Sequence, residues 1–388
     1  MNKPQRICFV SDFFISDKKA TITGPMVQTY LIGSELSKRG WDVHYVAYSK
    51  EGKNNFSESY EGMTVHWIRH RQFLPVLQYR KISKLLRAIN ADYHYQRGRD
   101  ILTGFVARHC KKNHKIFAWA SAGESGVEKG KYQRQLRKKN RPFIKKTVLW
   151  CEAKINDVIC EYGIENASRI IVQTEYQKNR LKEAFGLDSV VIKSGHPVPE
   201  HVERSAPLKI LWIGSIKAVK RPELFIELAQ ACRDLDCEFW MAGQFVDTKL
   251  KSFLLQRIQN MNNLKYLGAV PFQESQALIS KAHVLINTTD DGYEGLPNAF
   301  VQAWLAGTAT LSLHSDPDGV IEKYGLGAKV ESLTSMKNVL KKIVKNVDYW
   351  KSMSDNARKF GVENFSIDEI AYKLIDVMNS HPAKLIQN

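Results

Sequence analysis

ILWIGSIKAVKRPELF, residues 210–225, holds the reading that decides the fold. A short β-branched and aromatic run ends on Gly214, a basic turn carries Lys217, Lys220 and Arg221, and Pro222 opens a run of helical period. Proline suits the first helical position, where its φ is preset and its missing N–H has no partner to lose. The segment is a strand leading into a helix, and the alternation repeats on both sides. Downstream lie CEFWMAG, a helix around DTKLKSFLLQRIQ, LKYLG, FQESQALISKA, HVLINT, PNAFVQAWLAG and TATLSL, then two helical segments, MKNVLKKIVKNVDYWKSMSDNARKFGVENF and SIDEIAYKLIDVMNS. Upstream lie RICFVS (6–11), a helix over 24–40, WDVHYVAY, MTVHWI, YRKISKLLRAIN, DYHYQ, ILTGFVARHCKK and KIFAWA (115–120). A long helix to about Tyr162, RIIVQT (169–174), a helix over 175–185 and SVVIK close that half. Repeated βα units predict parallel sheets. SGHPVPEHVERSAP (194–207), rich in proline and polar residues, reads as a linker. The expectation is an α/β protein of two doubly wound domains facing a cleft, 1–195 and 206–365. Ser366 is read as the N-cap of a closing helix, with Glu369 three residues on.

Composition narrows the function. At 388 residues the chain exceeds the size at which one core usually stops growing. Its 44% apolar and 25% charged residues exclude a disordered protein. The apolar run in MNKPQRICFVSDFF is too short for a signal peptide, and no window approaches the roughly 18 apolar residues of a membrane span. Six cysteines without a CxxC pair read as reduced, buried thiols, so a cytoplasmic location is expected. The net charge of +17 is uneven: residues 1–195 hold 35 basic against 18 acidic residues, and residues 196–388 hold 22 of each. Nine basic residues and no acidic one fall between Lys129 and Lys146, followed by Val148, Leu149 and Trp150. Arg137, Lys138, Lys139, Arg141, Lys145 and Lys146 form an expected patch for an anionic membrane surface or a phosphorylated acceptor, against the alternative of a solvated helix face. Nucleic acid is not an expected partner, since the second half is neutral and no recognition helix or aromatic RNA motif occurs.

In open parallel sheets, ligands sit at the carboxyl ends of strands, where helix N-termini offer N–H groups to phosphates. The turn after 210–213 places Lys217, Lys220 and Arg221 there. Cations oppose the dipole at a helix N-terminus, so an anionic partner accounts for them better than solvation does. After HVLINT comes TTDDGYEGLPNAFVQAWLAGT (288–308). There Glu294 can accept hydrogen bonds from sugar hydroxyls, Gly295 allows close backbone approach, Leu296 and Pro297 complete the turn, and Gln302 lies two helical turns on, on the same face.

These residues resemble family 4 of the glycosyltransferases, retaining enzymes of the GT-B fold, over nearly the whole chain. The family's signature is a glutamate, seven residues and a second glutamate; Glu294 matches the first and Gln302 stands at the second. The resemblance implies that Glu294 contacts the donor sugar, that Gln302 contacts the nucleotide ribose and that Lys220 stabilises the departing diphosphate. Gly214 and Lys220 match the family's glycine–arginine and lysine, but Ser215 replaces the arginine, a charge that Lys217 or Arg221 could supply. Gly24 remains of a glycine-rich turn before the first helix, and LKYLGAVPF resembles the stretch that cradles the base, implicating Gly268 and Val270. The closing helix after NFS resembles the one that crosses back onto the first domain. Where the family often has a histidine, this chain has ASAGES, which makes Ser121 and Glu124 acceptor-side candidates beside His196 of the linker. The family mechanism retains configuration without a metal, so no cofactor is expected, and Asp316-Pro-Asp318 is read as a capped turn. The expected function is transfer from a nucleotide-sugar donor to a lipid-linked or phosphorylated glycan acceptor in polysaccharide or lipopolysaccharide synthesis, peripherally at the inner membrane face. The alternative is a non-catalytic GT-B protein that binds sugar nucleotides.

Overall fold

The computed structural model of the protein describes residues 4–70, 75–137, 143–200, 204–290 and 296–380. The chain divides into two compact units, Met1–Gly195 with Ile370–Asn388, and His196–Glu369.

The first unit is built on eight strands: β1 (Arg6–Ser11), β2 (Asp42–Ser49), β3 (Phe56–Tyr60), β4 (Met63–Arg69), β5 (Tyr93–Arg97), β6 (Ile116–Ala120), β7 (Arg169–Val172) and β8 (Val190–Val191). Their order is β3-β4-β2-β1-β5-β6-β7-β8, all pairs parallel except β3 with β4. The helices are α1 (Gly24–Lys38), α2 (Tyr79–Ile89), α3 (Ile101–Asn113), α4 (Lys131–Arg137), α5 (Phe143–Glu165) and α6 (Glu175–Phe185). β1 is buried from Ile7 to Ser11, as a strand covered on both faces must be. β3 was not expected from sequence, because FSESY carries no continuous apolar run. It pairs with β4 through a two-residue turn whose Glu61 (φ 47) and Gly62 (φ 78) take the left-handed conformation that matches strand twist. The expected strand SVVIK narrows to two residues.

α5 is held hard against α3. A Cβ at Gly163 would lie 2.5 Å from the Thr103 carbonyl carbon, so only glycine permits that crossing. Asp157 and Glu161, on the inner side of α5, hold the loop and the start of α4. Asp157 accepts N–H groups of Tyr132 and Gln133 at 3.0 Å each, Glu161 accepts that of Gly130 at 2.7 Å, and both pair with the Arg99 guanidinium.

The second unit carries β9 (Leu208–Ile213), β10 (Cys237–Ala242), β11 (Leu264–Tyr266), β12 (Val284–Asn287), β13 (Ala309–Leu313) and β14 (Gly327–Val330), all parallel, in the order β11-β10-β9-β12-β13-β14. Around it lie α7 (Pro222–Ala231), α8 (Thr248–Ile258), α9 (Phe272–Lys281), α10 (Asn298–Ala306), α11 (Val320–Lys323), α12 (Leu333–Lys345) and α13 (Val347–Phe365). The single helical segment expected over 336–365 divides at Asn346, whose side chain accepts the Tyr349 N–H at 3.0 Å and starts a new helix. Trp304 of α10 is fully buried against Phe360 and Phe365, each with ring centroids 5.6 Å away.

The last helix, α14 (Ile367–Asn379), leaves the second unit and from Ile370 belongs to the first. There the Arg39 guanidinium lies 3.8 Å from the Tyr372 ring centre, Tyr93 Oη donates to Asn379 Oδ1 at 2.7 Å, and Arg169 Nε donates to the Val377 carbonyl at 2.8 Å. Among the described residues no helix is long and apolar enough to cross a membrane.

Candidate active site

Strand order reverses in the second sheet between β9 and β12, which marks the carboxyl ends of those strands as the ligand position. Three strand-end loops are knitted together there by backbone hydrogen bonds. Gly214 donates to Ala242, Gly243 donates to Gly268 at 2.8 Å, and Ile216 donates to Gln244 at 2.8 Å. Gly243 was not singled out from sequence. A Cβ on it would stand 1.8 Å from the Gly214 carbonyl oxygen, a backbone atom that cannot move aside alone. Gly243→Ala is therefore expected to destabilise the second unit by about 1–3 kcal/mol and to pull the loop apart, read as a lowered urea midpoint. Gly268 takes the left-handed φ of 80° and gives its carbonyl to Gly243. Among the described residues the Val270 backbone has no hydrogen-bond partner.

Lys220 ends a short 3-10 turn over Ala218–Lys220 and folds back over Gly214, where a Cβ would lie 3.2 Å from its Nζ. Its carbonyl accepts the Thr288 hydroxyl at 2.7 Å, and Thr288 in turn accepts the Trp212 indole N–H at 3.0 Å. Asp290 donates its N–H to Val219 at 3.0 Å. The turn after β9 is thus tied to the loop after β12, and Lys220 lines one depression with Asn287, Thr289, Pro297 and Ala299. Pro222 begins α7, as the sequence predicts.

Arg221 is a different matter. It takes the left-handed conformation at the N-cap of α7 (φ 47) and pairs with Glu223 at 2.5 Å and Asp290 at 3.2 Å. Its charge is matched by two carboxylates. Lys217, at the start of the same turn, is the other sequence candidate for the charge missing at Ser215.

Gln302 sits on α10, 6% exposed, with its Nε2 donating to Ser275 Oγ at 3.3 Å and to His196 Nδ1 at 3.5 Å. His196 Nε2 lies 3.5 Å from Asn298 Oδ1. This pattern fits a neutral imidazole with its proton on Nε2. His196 belongs to the second unit and is fully buried. It bridges Ser366, donating its N–H to Phe365 at 3.0 Å and accepting that of Ile367 at 2.9 Å. His196, expected on the acceptor side, thus lies buried in the second unit against the Gln302 amide. The sequence hid this because 106 positions separate the partners.

The other candidates are dispersed. Leu296 packs on the α10 core beside the N-cap Pro297, while Glu294 and Gly295 lie outside the described residues. Gly24 is the first residue of α1 in the first unit. Ser121 is fully buried and donates its hydroxyl to the Gly123 carbonyl at 2.9 Å, closing the turn after β6. Glu124 opens a short 3-10 turn beside it and is half-buried. Arg137 ends α4 and is exposed; Lys138, Lys139 and Arg141 lie outside the described residues, and Lys145 and Lys146 fall in the first turn of α5. Asp316 accepts the N–H groups of Ile321 at 2.8 Å and Glu322 at 3.2 Å, which caps the turn. Among the described residues no cluster of three or more histidine, cysteine or carboxylate side chains could hold a metal ion.

Residues 207–346, within the second unit and including β9, Gly214 and Lys220, match the family model described as Glycosyl transferases group 1. The chain is a glycosyltransferase. Solved structures extend the likeness to the whole glycosyltransferase chain, at identities that speak to fold alone. Sucrose-phosphate synthase of Thermosynechococcus elongatus superposes with a TM-score of 0.69 at 13% identity, covering 96% of this chain and 98% of that one. HepE of Anabaena in complex with UDP-glucose gives 0.70 at 13%, covering 97% and 100%. The Escherichia coli trehalose-6-phosphate protein bound with UDP-2-fluoro glucose gives 0.67 at 10%, covering 97% and 100%. The fold is GT-B. A comparison with curated protein sequences returns no match.

Proposed function

We propose that this glycosyltransferase is a retaining enzyme of family 4 that takes a sugar from a nucleotide-sugar donor held at the carboxyl edge of the second sheet. The observation that carries the reading is Lys220, folded over Gly214 where the β9, β10 and β11 loops are knitted together. A diphosphate against this turn would meet backbone N–H groups and the ammonium, with the base beside Gly268 and Val270. The HepE and Escherichia coli structures, in complex with UDP-glucose and UDP-2-fluoro glucose, support a donor of that class. In the proposed step the bond from the anomeric carbon to the diphosphate oxygen breaks, and a bond from that carbon to the acceptor oxygen forms on the same face. The acceptor proton passes to the departing phosphate oxygen. Lys220 stabilises the charge that grows on the diphosphate, and Glu294 holds the donor sugar. Gln302, kept in place by His196 and Ser275, contacts the ribose, and no metal takes part.

Thermal shift and donor hydrolysis across UDP-, GDP- and ADP-sugars test this. One donor should raise the midpoint and be hydrolysed slowly; a panel in which none binds or turns over would favour the non-catalytic reading instead.

The acceptor is proposed to be a lipid-linked or phosphorylated glycan at an anionic membrane surface, in polysaccharide or lipopolysaccharide synthesis. α5 supports the membrane part, because it is apolar on both sides. Ala153, Cys160 and Ile164 are buried, while Ile155, Val158 and Tyr162 stand exposed on the opposite face, Val158 at 60%, and Trp150 is exposed nearer the helix start. The basic segment runs into this helix, and each cation near an anionic surface is worth about 1 kcal/mol. The protein is expected to co-sediment with phosphatidylglycerol vesicles at low salt and not with phosphatidylcholine vesicles, and Trp150→Ser with Val158→Ser should weaken the association about tenfold. Equal recovery with both vesicle types would sink the membrane assignment.

A further inference from the structure

Lys220 projects from a turn whose shape is imposed by the neighbouring strand. β9 and β12 run side by side, with Val284 opposite Ile210 and Leu285 opposite Leu211, so the chain leaving β12 passes the turn that leaves β9. Contact is made at three successive residues of that turn. The Val219 carbonyl accepts the Asp290 N–H at 3.0 Å, the Lys220 carbonyl accepts the Thr288 hydroxyl at 2.7 Å, and the Arg221 guanidinium pairs with Asp290 at 3.2 Å. The Arg221 backbone stands at φ 47, a left-handed conformation that a β-carbon disfavours. Such a conformation persists only where its surroundings fix it, and the peptide joining Lys220 to Arg221 is gripped at its carbonyl by Thr288.

Thr288 is 1% exposed, and its hydroxyl is engaged both as acceptor and as donor. Its oxygen accepts the Trp212 indole N–H at 3.0 Å, which leaves the hydroxyl proton for the Lys220 carbonyl. An indole nitrogen only donates and a carbonyl only accepts, so this order cannot reverse. Trp212 is itself buried in the core of the second sheet, where close packing holds the ring. Indole, hydroxyl and carbonyl thus form a directed chain that starts in the core and ends on the residue carrying the cation. A peptide plane turned about this carbonyl would carry the Lys220 side chain away from Gly214, where a Cβ would lie 3.2 Å from its Nζ and 3.7 Å from its Cδ.

We propose that Thr288, with Trp212 behind it, is a positioning residue for the transfer: it holds the peptide that aims the Lys220 ammonium at the departing diphosphate. The assignment rests on the reading of Lys220 as the cation at that diphosphate. Buried as it is, Thr288 acts through Lys220. Its hydroxyl therefore counts most as charge grows on the diphosphate, and least as the donor binds. Serine at this position keeps the hydroxyl and both of its bonds. Valine keeps the shape and leaves the indole N–H and the Lys220 carbonyl without this partner.

The test compares Thr288→Val and Thr288→Ser on the full chain, each in the wild-type and the Lys220→Ala background. Lysine labelling by trinitrobenzenesulfonate, read residue by residue by mass spectrometry, needs no donor. In Thr288→Val the rate at Lys220 should rise about fivefold, the factor that one lost hydrogen bond confers, with the other lysines unchanged and Thr288→Ser at the wild-type rate. Steady-state kinetics with the donor found by the panel gives the second readout. Thr288→Val should lower kcat about tenfold with KM within about twofold, and Thr288→Ser should stay within about twofold of wild type. Once Lys220 is alanine, Thr288→Val should lower kcat by less than about twofold more. Unchanged labelling of Lys220, a rise shared by lysines across the second unit, a serine variant as impaired as the valine one, or an equal loss in both backgrounds would overturn the positioning role. Wild-type turnover in Lys220→Ala, or no turnover with any donor, would instead strike the transferase reading of this turn, while the labelling still reports whether Thr288 fixes Lys220.

Discussion

Replacing Lys220 with alanine is expected to lower turnover by about 10²–10³, with the thermal midpoint unchanged within a degree or two. The size follows from where the ammonium acts. Lys220 is held over Gly214 by the turn whose carbonyl takes the Thr288 hydroxyl, so its position is set before the donor arrives. Charge on the diphosphate grows as the glycosidic bond breaks, and a fixed cation near it gains most at that moment. The loss should therefore appear in kcat more than in KM. Arg221→Ala is the matched control. Its guanidinium is taken by Glu223 and Asp290, and turnover should fall less than fivefold. Steady-state kinetics with the donor found by the panel measures both. Equal losses in the two variants would place the stabilising charge elsewhere.

The largest stability effect is expected at Asp157, where alanine should cost about 3–5 kcal/mol in the first unit. Asp157 is 2% exposed and serves four groups: the Arg99 guanidinium at 3.4 Å, the N–H groups of Tyr132 and Gln133, and the Gln133 side-chain amide at 3.4 Å. Removing it leaves a fully buried guanidinium with the Glu161 carboxylate and the Gly126 and Glu128 carbonyls, and uncaps the start of α4. Lys131, Arg134 and Arg137 are carried by that helix. Urea unfolding followed by fluorescence should show an earlier transition for the first unit and an unchanged one for the second. Asp157→Asn should cost less, because the amide oxygen still accepts one N–H group. A shift below about 1 kcal/mol in Asp157→Ala would mean that Glu161 carries the cluster.

The fold was legible in the sequence because its signals are local. Buried parallel strands such as RICFVS and HVLINT are continuous apolar runs, and Pro222 announces its helix directly. Gly214, Lys220 and Gly268 could be picked out for the same reason, since each follows such a run and strand ends are where ligands gather. β3 escaped because FSESY is a half-exposed edge strand whose existence depends on the turn at Glu61 and Gly62. The exposed apolar face of α5 escaped for another reason: apolar residues on both sides of a helix blur its period, and only burial shows which side is covered.

By itself the sequence determined two series of βα units, the strand-end glycines and the basic Lys217–Arg221 turn. Periodicity, a turn glycine and a helix-starting proline act over a few residues and need no partner. Only the tertiary structure decided which charges are engaged and which polar groups meet. Arg221 finds Asp290 and His196 finds Gln302 across 69 and 106 residues, and Gly243 is compelled by the carbonyl of Gly214. Such pairings depend on strand order, and strand order is fixed by burial summed over a whole sheet rather than by any stretch of chain.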